Sequence, residues 1–453
     1  MLTIVESKAF ISKLWGRQPV KDTVMYRMLK YIIRVDYKDK VLLHNAVTGE
    51  LIALDVQEAQ ILGTLPAKFS PEMLQLVEKH FLVPVDFDEH RQVLSLRGIL
   101  QKYEASHGSQ TITSYTILPT TACNARCYYC FEHGVKTETM TEDTANDAVS
   151  FIVENCGSQK SVSLLWFGGE PLVARHRIDQ ICDGLREHGI QFDSKMITNG
   201  YLFDEEMVKI AKIKWNLNYL QISVDGTEIH YNQTKAYINP KDNPYFRVLR
   251  NVDILLKEGI QVGLRMNFDI ANHEDFVDFV DMAAERFQHN PLLQVYAYPV
   301  IGSYPDHNGI VQHGSDKWFE NKIVELNEVA REKGVLRKRK GLPYLSCIGC
   351  DADDNSTAII AANGILVKCC EDFSNEQSIG TVREGITDFG KVASWKENAD
   401  YPKCWDCKFF PKCVRLKNCR AKDRCYFVNE RIRRTENTMM IEYDLWLNNN
   451  GGK

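Results

Sequence analysis

The sequence lacks several features that would point to whole classes of protein. No apolar run approaches the roughly 18 residues that a membrane helix needs, and Met1 to Arg17 contains no signal-peptide core because charged residues interrupt it. The sequence also has no large excess of one charge, since 55 Lys and Arg against 60 Asp and Glu leave a net charge of −5. This near balance argues against a broad nucleic-acid-binding surface. We therefore predict a cytoplasmic globular protein with no membrane and no nucleic-acid partner.

Cysteine is present but unevenly distributed. The 453 residues include 14 cysteines; three lie between Cys123 and Cys130, and nine lie between Cys347 and Cys425. A reducing cytosol disfavours structural disulfides, so clusters of this kind indicate metal binding or catalysis.

The chain divides into three predicted regions, residues 1–106, 107–310 and 311–453. In the first region, short strand-like runs around a Thr48-Gly49 turn are followed by helical patterns over Val56–Leu62 and Ser70–His80. This order favours a small winged-helix-like α+β module. An N-terminal extension that packs on the next domain is the alternative.

The second region alternates strand and helix patterns and is expected to be an α/β domain. Six alternations imply a parallel sheet with right-handed crossovers, and six units fall short of the eight that close a barrel. We predict an open, partial (β/α)6 TIM-like barrel. The expected strands are Ile112–Leu118, Val162–Phe167, Lys195–Ile197, Tyr219–Val224, Gln261–Phe268 and Leu292–Pro299.

Three cysteines follow the first of these strands with the spacing C-x3-C-x2-C. Cys123, Cys127 and Cys130 could bind three irons of a cubane cluster, whereas a closed cluster takes four thiolates. One iron would then stay open to a small molecule. A zinc site with His133 as the fourth ligand is the alternative from spacing alone.

Other unusual polar motifs fall at the ends of the next four strands. They are Gly168-Gly169-Glu170-Pro171, Thr198-Asn199-Gly200, Ser223-Val224-Asp225-Gly226, and the pair Arg265 and Asn267. Glycines allow close approach of a ligand to the backbone, Glu170 offers a carboxylate to an ammonium group, and Ser223 and Asp225 can bind hydroxyls. Singly these motifs are common turns, but the barrel brings all of them to one rim.

These motifs, over roughly residues 112–300, resemble the radical S-adenosylmethionine (SAM) enzymes. The resemblance implies that Cys123, Cys127 and Cys130 hold a [4Fe–4S] cluster and that the methionine amine and carboxylate of SAM chelate its fourth iron. Reductive cleavage of SAM would give a 5′-deoxyadenosyl radical that abstracts a substrate hydrogen. The one-electron donor implied by this chemistry is a protein such as flavodoxin or ferredoxin.

The resemblance also implies roles for the strand-end residues. Glu170, with Gly168, Gly169 and Pro171, would hold the methionine ammonium, and Ser223 and Asp225 would place the ribose. Tyr129 would lie beside the cluster and the adenine, and Asn199 and Arg265 would make supporting contacts. Many relatives carry an arginine where Lys235 stands; because a lysine cannot make a bidentate carboxylate contact, that role is not assigned to it. The sequence identifies no catalytic acid or base.

The C-terminal cysteines resemble the SPASM extension, which carries auxiliary [4Fe–4S] clusters. Two clusters need eight thiolates, and this region has nine; five residues separate Cys413 from Cys419, where relatives usually have three. Three clusters in all are therefore expected, and Cys370 would be unused. The ligands of the first auxiliary cluster are predicted to be Cys347, Cys350, Cys369 and Cys419, and those of the second Cys404, Cys407, Cys413 and Cys425. Structural zinc is the alternative for the second of these groups.

The N-terminal region resembles the peptide-recognition module of maturases of ribosomally made peptides. Gly49–Asp55 and Glu78–Pro84 carry that likeness, and the strands between Tyr31 and Leu54 are the expected site for strand addition by a leader peptide. The leading interpretation is a maturase that forms thioether cross-links in a precursor peptide. The alternatives are another cross-link or epimerisation, an anaerobic sulfatase-type maturase that forms formylglycine, and a non-catalytic iron–sulfur electron carrier.

Overall fold

The structure is a computed structural model that describes residues 3–6, 9–16, 18–107, 111–300, 315–337, 341–419 and 425–450. The predicted boundary at residues 310 and 311 lies outside the described residues. None of the helices in these ranges is both long and apolar enough to cross a bilayer.

The strands of the described residues are, in chain order, β1 Thr3–Glu6, β2 Met25–Met28, β3 Ile32–Tyr37, β4 Lys40–Asn45, β5 Leu51–Asp55, β6 Ala67–Lys68, β7 Leu82–Pro84, β8 Ser114–Ile117, β9 Ser161–Trp166, β10 Gln191–Thr198, β11 Leu217–Ser223, β12 Gln261–Phe268, β13 Leu293–Pro299, β14 Thr357–Ile360, β15 Ile365–Val367, β16 Gly380–Thr381 and β17 Gly385–Ile386.

The α-helices of the same ranges are α1 Ala9–Trp15, α2 Val56–Ala59, α3 Leu74–Glu78, α4 Glu89–His107, α5 Glu142–Asn155, α6 Arg175–Glu187, α7 Glu205–Lys214, α8 Glu228–Lys235, α9 Pro244–Lys257, α10 Asp275–Arg286, α11 Asp316–Glu332, α12 Phe389–Ser394 and α13 Val428–Asn450.

The chain forms two compact units that do not follow its linear order. The first unit comprises Met1–Gly108, Lys338–Cys350 and Asn398–Lys453, and the second comprises Ser109–Arg337 and Asp351–Glu397. The cysteine-rich C-terminal region contributes to both units. The division into three consecutive functional regions stays a prediction.

The first unit contains two small antiparallel sheets, ordered β1-β5-β4-β3 and β6-β2-β7. Its core joins residues that are far apart in sequence, because Leu345 and Phe410 pack with Tyr31, Ile52 and Leu82. The final helix contributes as well, since Met439 and Tyr443 of α13 are buried with apolar residues of β3, β4 and β5. The N-terminal module and the last cysteine segment therefore fold as one body.

The second unit is built on a ten-stranded sheet with the order β13-β12-β11-β10-β9-β8-β14-β15-β16-β17. Strands β8 to β13 pair in parallel along the chain, with helices in the connections. The predicted partial α/β barrel is thus confirmed. The sequence did not predict β14, which adds a further parallel strand beside β8 and continues into the antiparallel strands β15 to β17.

The boundaries of the barrel elements follow local signals. The predicted strand Gln261–Phe268 is β12, and Thr141 caps α5 by accepting a hydrogen bond from the backbone N–H of Thr144 at 3.1 Å. Buried Ala145, Ala148, Val149 and Ile152 form the apolar face of that helix. A cap and a repeat of about 3.6 residues depend only on nearby sequence.

Candidate active site

The three cysteines of the C-x3-C-x2-C motif lie in the loop that follows β8. Cys123, Cys127 and Cys130 are partly buried, and they are close enough to interact electrostatically. The Sγ atom of Cys123 accepts a hydrogen bond from the backbone N–H of Ala125 at 3.4 Å. The loop therefore gathers three thiols at the carboxyl edge of the parallel sheet.

Burial controls the protonation of these thiols. It raises the pKa of Cys123 to about 12 and that of Cys130 to about 11, and it raises the pKa of Cys127, which Lys235 opposes. The free thiols are therefore protonated at neutral pH. Binding of a metal would release those protons, because the thiolate is the ligand.

The three thiols are the type of donor that an iron–sulfur cluster takes. Across the described ranges, no three Cys, His, Asp or Glu side chains form a group that could hold one metal ion. In a cubane the thiolates bind different irons, so the three sulfur atoms need not converge on one point. The donor set thus fits the predicted [4Fe–4S] cluster.

The loop after β9 packs directly on the cysteine loop through its backbone. A Cβ atom on Gly168 would lie 2.4 Å from the carbonyl oxygen of Thr120, and one on Gly169 would lie 2.5 Å from that of Ala122. The backbone N–H of Glu170 donates to the same Ala122 oxygen at 2.9 Å. Only glycine permits this close approach, so the two glycines fix the loop beside Cys123.

Glu170 is fully buried and joins the ends of β9 and β10. Its carboxylate accepts hydrogen bonds from the Thr198 hydroxyl at 2.9 and 3.0 Å, from the backbone N–H of Asn199 at 2.8 Å and from that of Leu172 at 3.2 Å. Burial raises the pKa of Glu170, and these hydrogen bonds oppose the rise. Pro171 follows as the first residue of a short 3-10 helix. The predicted contact of Glu170 with an ammonium group remains a proposal.

Asn199 connects the same strand end to the cysteine loop. Its side-chain amide donates to the Oδ1 atom of Asn124 at 2.7 Å and lies 4.0 Å from the sulfur of Cys123. Its own Oδ1 atom accepts from the backbone N–H of Tyr201 at 3.0 Å. Asn199 is thus positioned to support the cysteine loop.

A buried ion pair stands at the ends of β11 and α8. The Nζ atom of Lys235 lies 2.9 Å from the Oδ2 atom of Asp225, and the two residues are 1% and 0% exposed. Lys235 also donates to the hydroxyls of Ser223 at 2.7 Å and Tyr129 at 3.0 Å. Three residues predicted to contact SAM therefore share one lysine partner.

The charge of Lys235 is maintained by its neighbours. Burial alone would lower the pKa of Lys235, but its interactions with the Asp225 carboxylate and with Cys127 raise it well above its ordinary value. Asn267 supports the opposite side of the pair by donating to Asp225 at 3.0 Å and to the Tyr129 hydroxyl at 2.9 Å. The network holds a fixed positive charge beside the cysteine loop.

Lys235 is the residue of this site to which sequence reasoning assigned no role. The available signal was its place at the end of the segment after Ser223-Val224-Asp225-Gly226, together with its charge. Its carbonyl oxygen also accepts from the backbone N–H of Arg126 at 2.8 Å. This contact ties the helix end to the cysteine loop.

Arg265 lies beside Ser223 in the sheet register and contacts a different set of residues. Its guanidinium carbon lies 4.8 Å from the ring centroid of Tyr298, and its Nε atom is buried without a hydrogen-bond acceptor. The Nε2 atom of Gln221 is likewise buried without an acceptor. The Oε1 atom of the same side chain accepts a hydrogen bond from the Tyr296 hydroxyl at 2.8 Å. These two donors suit a negatively charged or carbonyl group.

Four of the C-terminal cysteines lie together in the first unit. Cys404, Cys407, Cys413 and Cys425 interact electrostatically with one another, and burial raises the pKa of Cys404 and Cys407. Backbone turns support the segment, because the N–H of Cys407 donates to the Cys404 carbonyl at 3.0 Å. We call these four residues the Cys404 group. They have the donor set that one predicted auxiliary cluster requires.

The other predicted auxiliary ligands are divided between the units. Cys347, Cys350 and Cys419 belong to the first unit, and Cys369 belongs to the second. Cys370 packs beside buried Leu118 and Val367. This second ligand group stays a prediction.

Comparison with known proteins gives the class of the domain that carries the site. Residues 117–283 match the radical SAM superfamily. The Fe-coproporphyrin III synthase of Methanosarcina barkeri is 28% identical over 167 residues, which cover 37% of this chain and 40% of that protein. The radical SAM cyclopropyl synthase TigE of Paramaledivibacter caminithermalis is 23% identical over 249 residues, which cover 50% of this chain and 48% of that protein. The matched part thus spans less than half of either relative.

A solved structure shares the fold. Native anSMEcpe with bound AdoMet and a Cp18Cys peptide gives a TM-score of 0.54 at 14% identity, covering 74% of this chain and 99% of that one. The chain therefore contains a radical SAM domain, which defines a superfamily of enzymes. Its C-terminal residues are cysteine-rich, as the predicted auxiliary iron–sulfur domain of the SPASM type requires.

Proposed function

We propose that this protein is a radical SAM peptide maturase that abstracts hydrogen from a ribosomally made precursor and forms thioether links from cysteine sulfur to carbon. One observation carries the proposal. The cysteine loop, the Gly168–Glu170 loop and the buried Lys235–Asp225 pair meet at the carboxyl edge of one parallel sheet. In α/β barrels this edge is where reactions take place.

The residues of the site have separate tasks in this proposal. A [4Fe–4S] cluster on Cys123, Cys127 and Cys130, with SAM bound, would supply the 5′-deoxyadenosyl radical. Gly168 and Gly169 let the backbone of their loop approach the cysteine loop, because they have no side chains to separate the two. Glu170 presents a carboxylate oxygen to an ammonium group, although its present hydrogen bonds already position it firmly.

The buried lysine network has an electrostatic task. Lys235 pairs with the Asp225 carboxylate and holds the Ser223 and Tyr129 hydroxyls at fixed positions. Because these groups are already oriented, binding of a nucleoside needs little rearrangement. The ribose is the part of SAM whose hydroxyls match such partners.

A peptide substrate is supported by the first unit. In its four-stranded sheet, β3 pairs with β4 on one side and has no strand on the other within the described part of the chain, whereas β1 covers the side of β5. An open strand edge is a site where an extended peptide can add. The peptide bound to anSMEcpe, a protein of the same fold, is consistent with this choice of substrate.

Mass spectrometry of a cysteine-containing precursor, co-expressed anaerobically with the enzyme, tests the proposal. The candidate is a short peptide encoded beside the gene, and a Cys123→Ala enzyme is the control. We expect loss of two hydrogens per modified site together with protection of a cysteine from alkylation. This result would be absent with the variant.

Other outcomes would contradict parts of the proposal. Loss of two hydrogens with every cysteine still open to alkylation would replace the thioether by another cross-link. Unchanged mass would exclude cross-linking of that peptide and direct attention to epimerisation or formylglycine formation. Failure of the reduced, reconstituted protein to form 5′-deoxyadenosine would favour an electron carrier.

A further inference from the structure

Arginine side chains surround Cys413 in the first unit. Arg97 of α4 is only 4% exposed, and its guanidinium donates to the carbonyl oxygens of Phe410 at 2.8 Å, Pro411 at 3.2 Å and Cys413 at 3.4 Å. It also lies over the Phe410 ring, 5.2 Å from the centroid. A buried cation is therefore fixed against the backbone that carries Cys413.

Two more arginines interact with Cys413. The Nη1 atom of Arg431 on α13 donates to its sulfur at 3.8 Å, and the Arg415 side chain interacts with it electrostatically. We call Arg97, Arg415 and Arg431 the Cys413 arginine group.

The sequence around the Cys404 group has the same sign of charge. Between Cys404 and Cys425 there are seven Lys or Arg residues against two Asp, although the whole chain has a net charge of −5. The radical SAM cysteines have a different environment, because Cys123 interacts with Glu170, and Cys127 interacts with Asp225 as well as Lys235. The two cysteine sites thus differ in local charge.

Local charge affects how readily a cluster accepts an electron. The reduction potential of an iron–sulfur cluster depends on its net charge and on hydrogen bonds to its sulfur atoms. Reduction of a [4Fe–4S] core takes one electron, changes the core from 2+ to 1+ and breaks no bond. Nearby positive charges that are held away from water stabilise the reduced form more than the oxidised form.

We infer that the Cys413 arginine group raises the reduction potential of an iron–sulfur cluster bound by the Cys404 group, which favours transfer of an electron to that cluster. This inference rests on the proposed function. In that reaction a carbon radical and a thiol become a thioether, and one proton and one electron are released. The oxidised cluster takes the electron, which balances the step.

The test is a redox titration of the reconstituted full-length protein, followed by electron paramagnetic resonance without SAM or peptide. Substituting Cys123, Cys127 and Cys130 by Ala first removes the signal of the radical SAM cluster. Arg415→Gln and Arg431→Gln are then compared with Arg431→Lys, which keeps the charge. Arg433→Gln is the matched control, because residues two positions apart face different sides of a helix and Arg433 pairs with Glu436 at 3.6 Å.

We expect each glutamine variant to lower the potential of one remaining cluster. The ratio of reduced to oxidised cluster at a fixed potential should fall about tenfold, equal to about 59 mV for one electron. Arg431→Lys should stay near the control. Iron content is measured for every variant, so that potentials are compared only between fully loaded proteins.

Three results would overturn the inference. The first is a shift in the glutamine variants no larger than in Arg433→Gln. The second is zinc in place of iron at the Cys404 group. The third is loss of the cluster from Arg431→Gln but not from Arg431→Lys, since the charge would then govern cluster assembly. A wild-type protein that forms no 5′-deoxyadenosine would instead refute the proposed function, and the measured potentials would still stand.

Discussion

The residue that governs the electrostatics of the site is Lys235. A buried cation is stable only with an anionic partner and further hydrogen bonds, and Lys235 has Asp225, Ser223 and Tyr129. Removal of one partner lowers the stability of the protein, because the other charge is then left buried without a counter-charge. Such a pair positions groups for a ligand while it contributes little net stability.

Lys235→Met should therefore destabilise the protein by about 3–5 kcal/mol, since it leaves the Asp225 carboxylate buried without a counter-charge. Urea unfolding of the chain measures this change. The double variant Lys235→Met with Asp225→Asn should recover much of the loss. Equal stability of the single variant and the wild type would contradict the buried pair.

Gly169 gives a second prediction for a single position. A Cβ atom there would meet the Ala122 carbonyl at 2.5 Å, so Gly169→Ala should push the loop away from Cys123 and cost about 1–3 kcal/mol. We expect about a tenfold or greater loss of 5′-deoxyadenosine formation, measured by liquid chromatography. Gly98→Ala is the matched control, because nothing lies within 4 Å of its added Cβ and alanine favours helix α4. Equal losses in both variants would refute the clash.

At the scale of secondary-structure elements, β14 covers one edge of the barrel strands, whereas one edge of β3 has no neighbouring strand among the described residues. β14 covers the edge of β8 with a parallel pairing over Thr357–Ile360. β3 is bounded by β4 alone among the described strands. An uncovered strand is prone to pair with other chains unless it is used for binding, which supports β3 as the leader site.

Proline substitution tests the role of β3. Along an edge strand, successive N–H groups point in turn to the neighbouring strand and to the open side. Arg34 and Val35 are adjacent, so either Arg34→Pro or Val35→Pro removes an N–H that points to the open side. That variant should keep its melting temperature within a few degrees yet bind a fluorescent leader peptide at least about tenfold more weakly. It should still cleave SAM without peptide. Unchanged leader affinity in both stable variants would move the peptide site elsewhere.

For the molecule as a whole, the chemistry depends on how many clusters it carries. Three [4Fe–4S] clusters predict about twelve irons per chain. Substitution of Cys123, Cys127 and Cys130 by Ala should remove about four irons and abolish SAM cleavage, leaving the C-terminal clusters in place. Metal analysis of anaerobically reconstituted protein checks both numbers. Stoichiometric zinc, or loss of all iron on this substitution, would contradict three separate clusters.

Much of the fold was predictable because its signals are local. The run over Gln261–Phe268 lies within one element, and the structure has a strand where the sequence indicated it. β14 escaped prediction because a four-residue strand has little periodicity. Its pairing with β8, more than 200 residues earlier, is decided by the edge that the barrel leaves open.

The amino-acid pattern alone determined the kind of chemistry. The spacing of Cys123, Cys127 and Cys130 and the glycines before Glu170 are properties of short segments. Their resemblance to the motifs of radical SAM enzymes therefore indicated iron–sulfur and SAM binding before the fold was known. Folding decided the charges around the cysteines. Arg97 donates to the carbonyl oxygen of Cys413, which lies 316 positions later in the sequence. Lys235 pairs with Asp225 in the protein interior. Burial and distance set the strength of such charges, and both arise only when distant parts of the chain pack together.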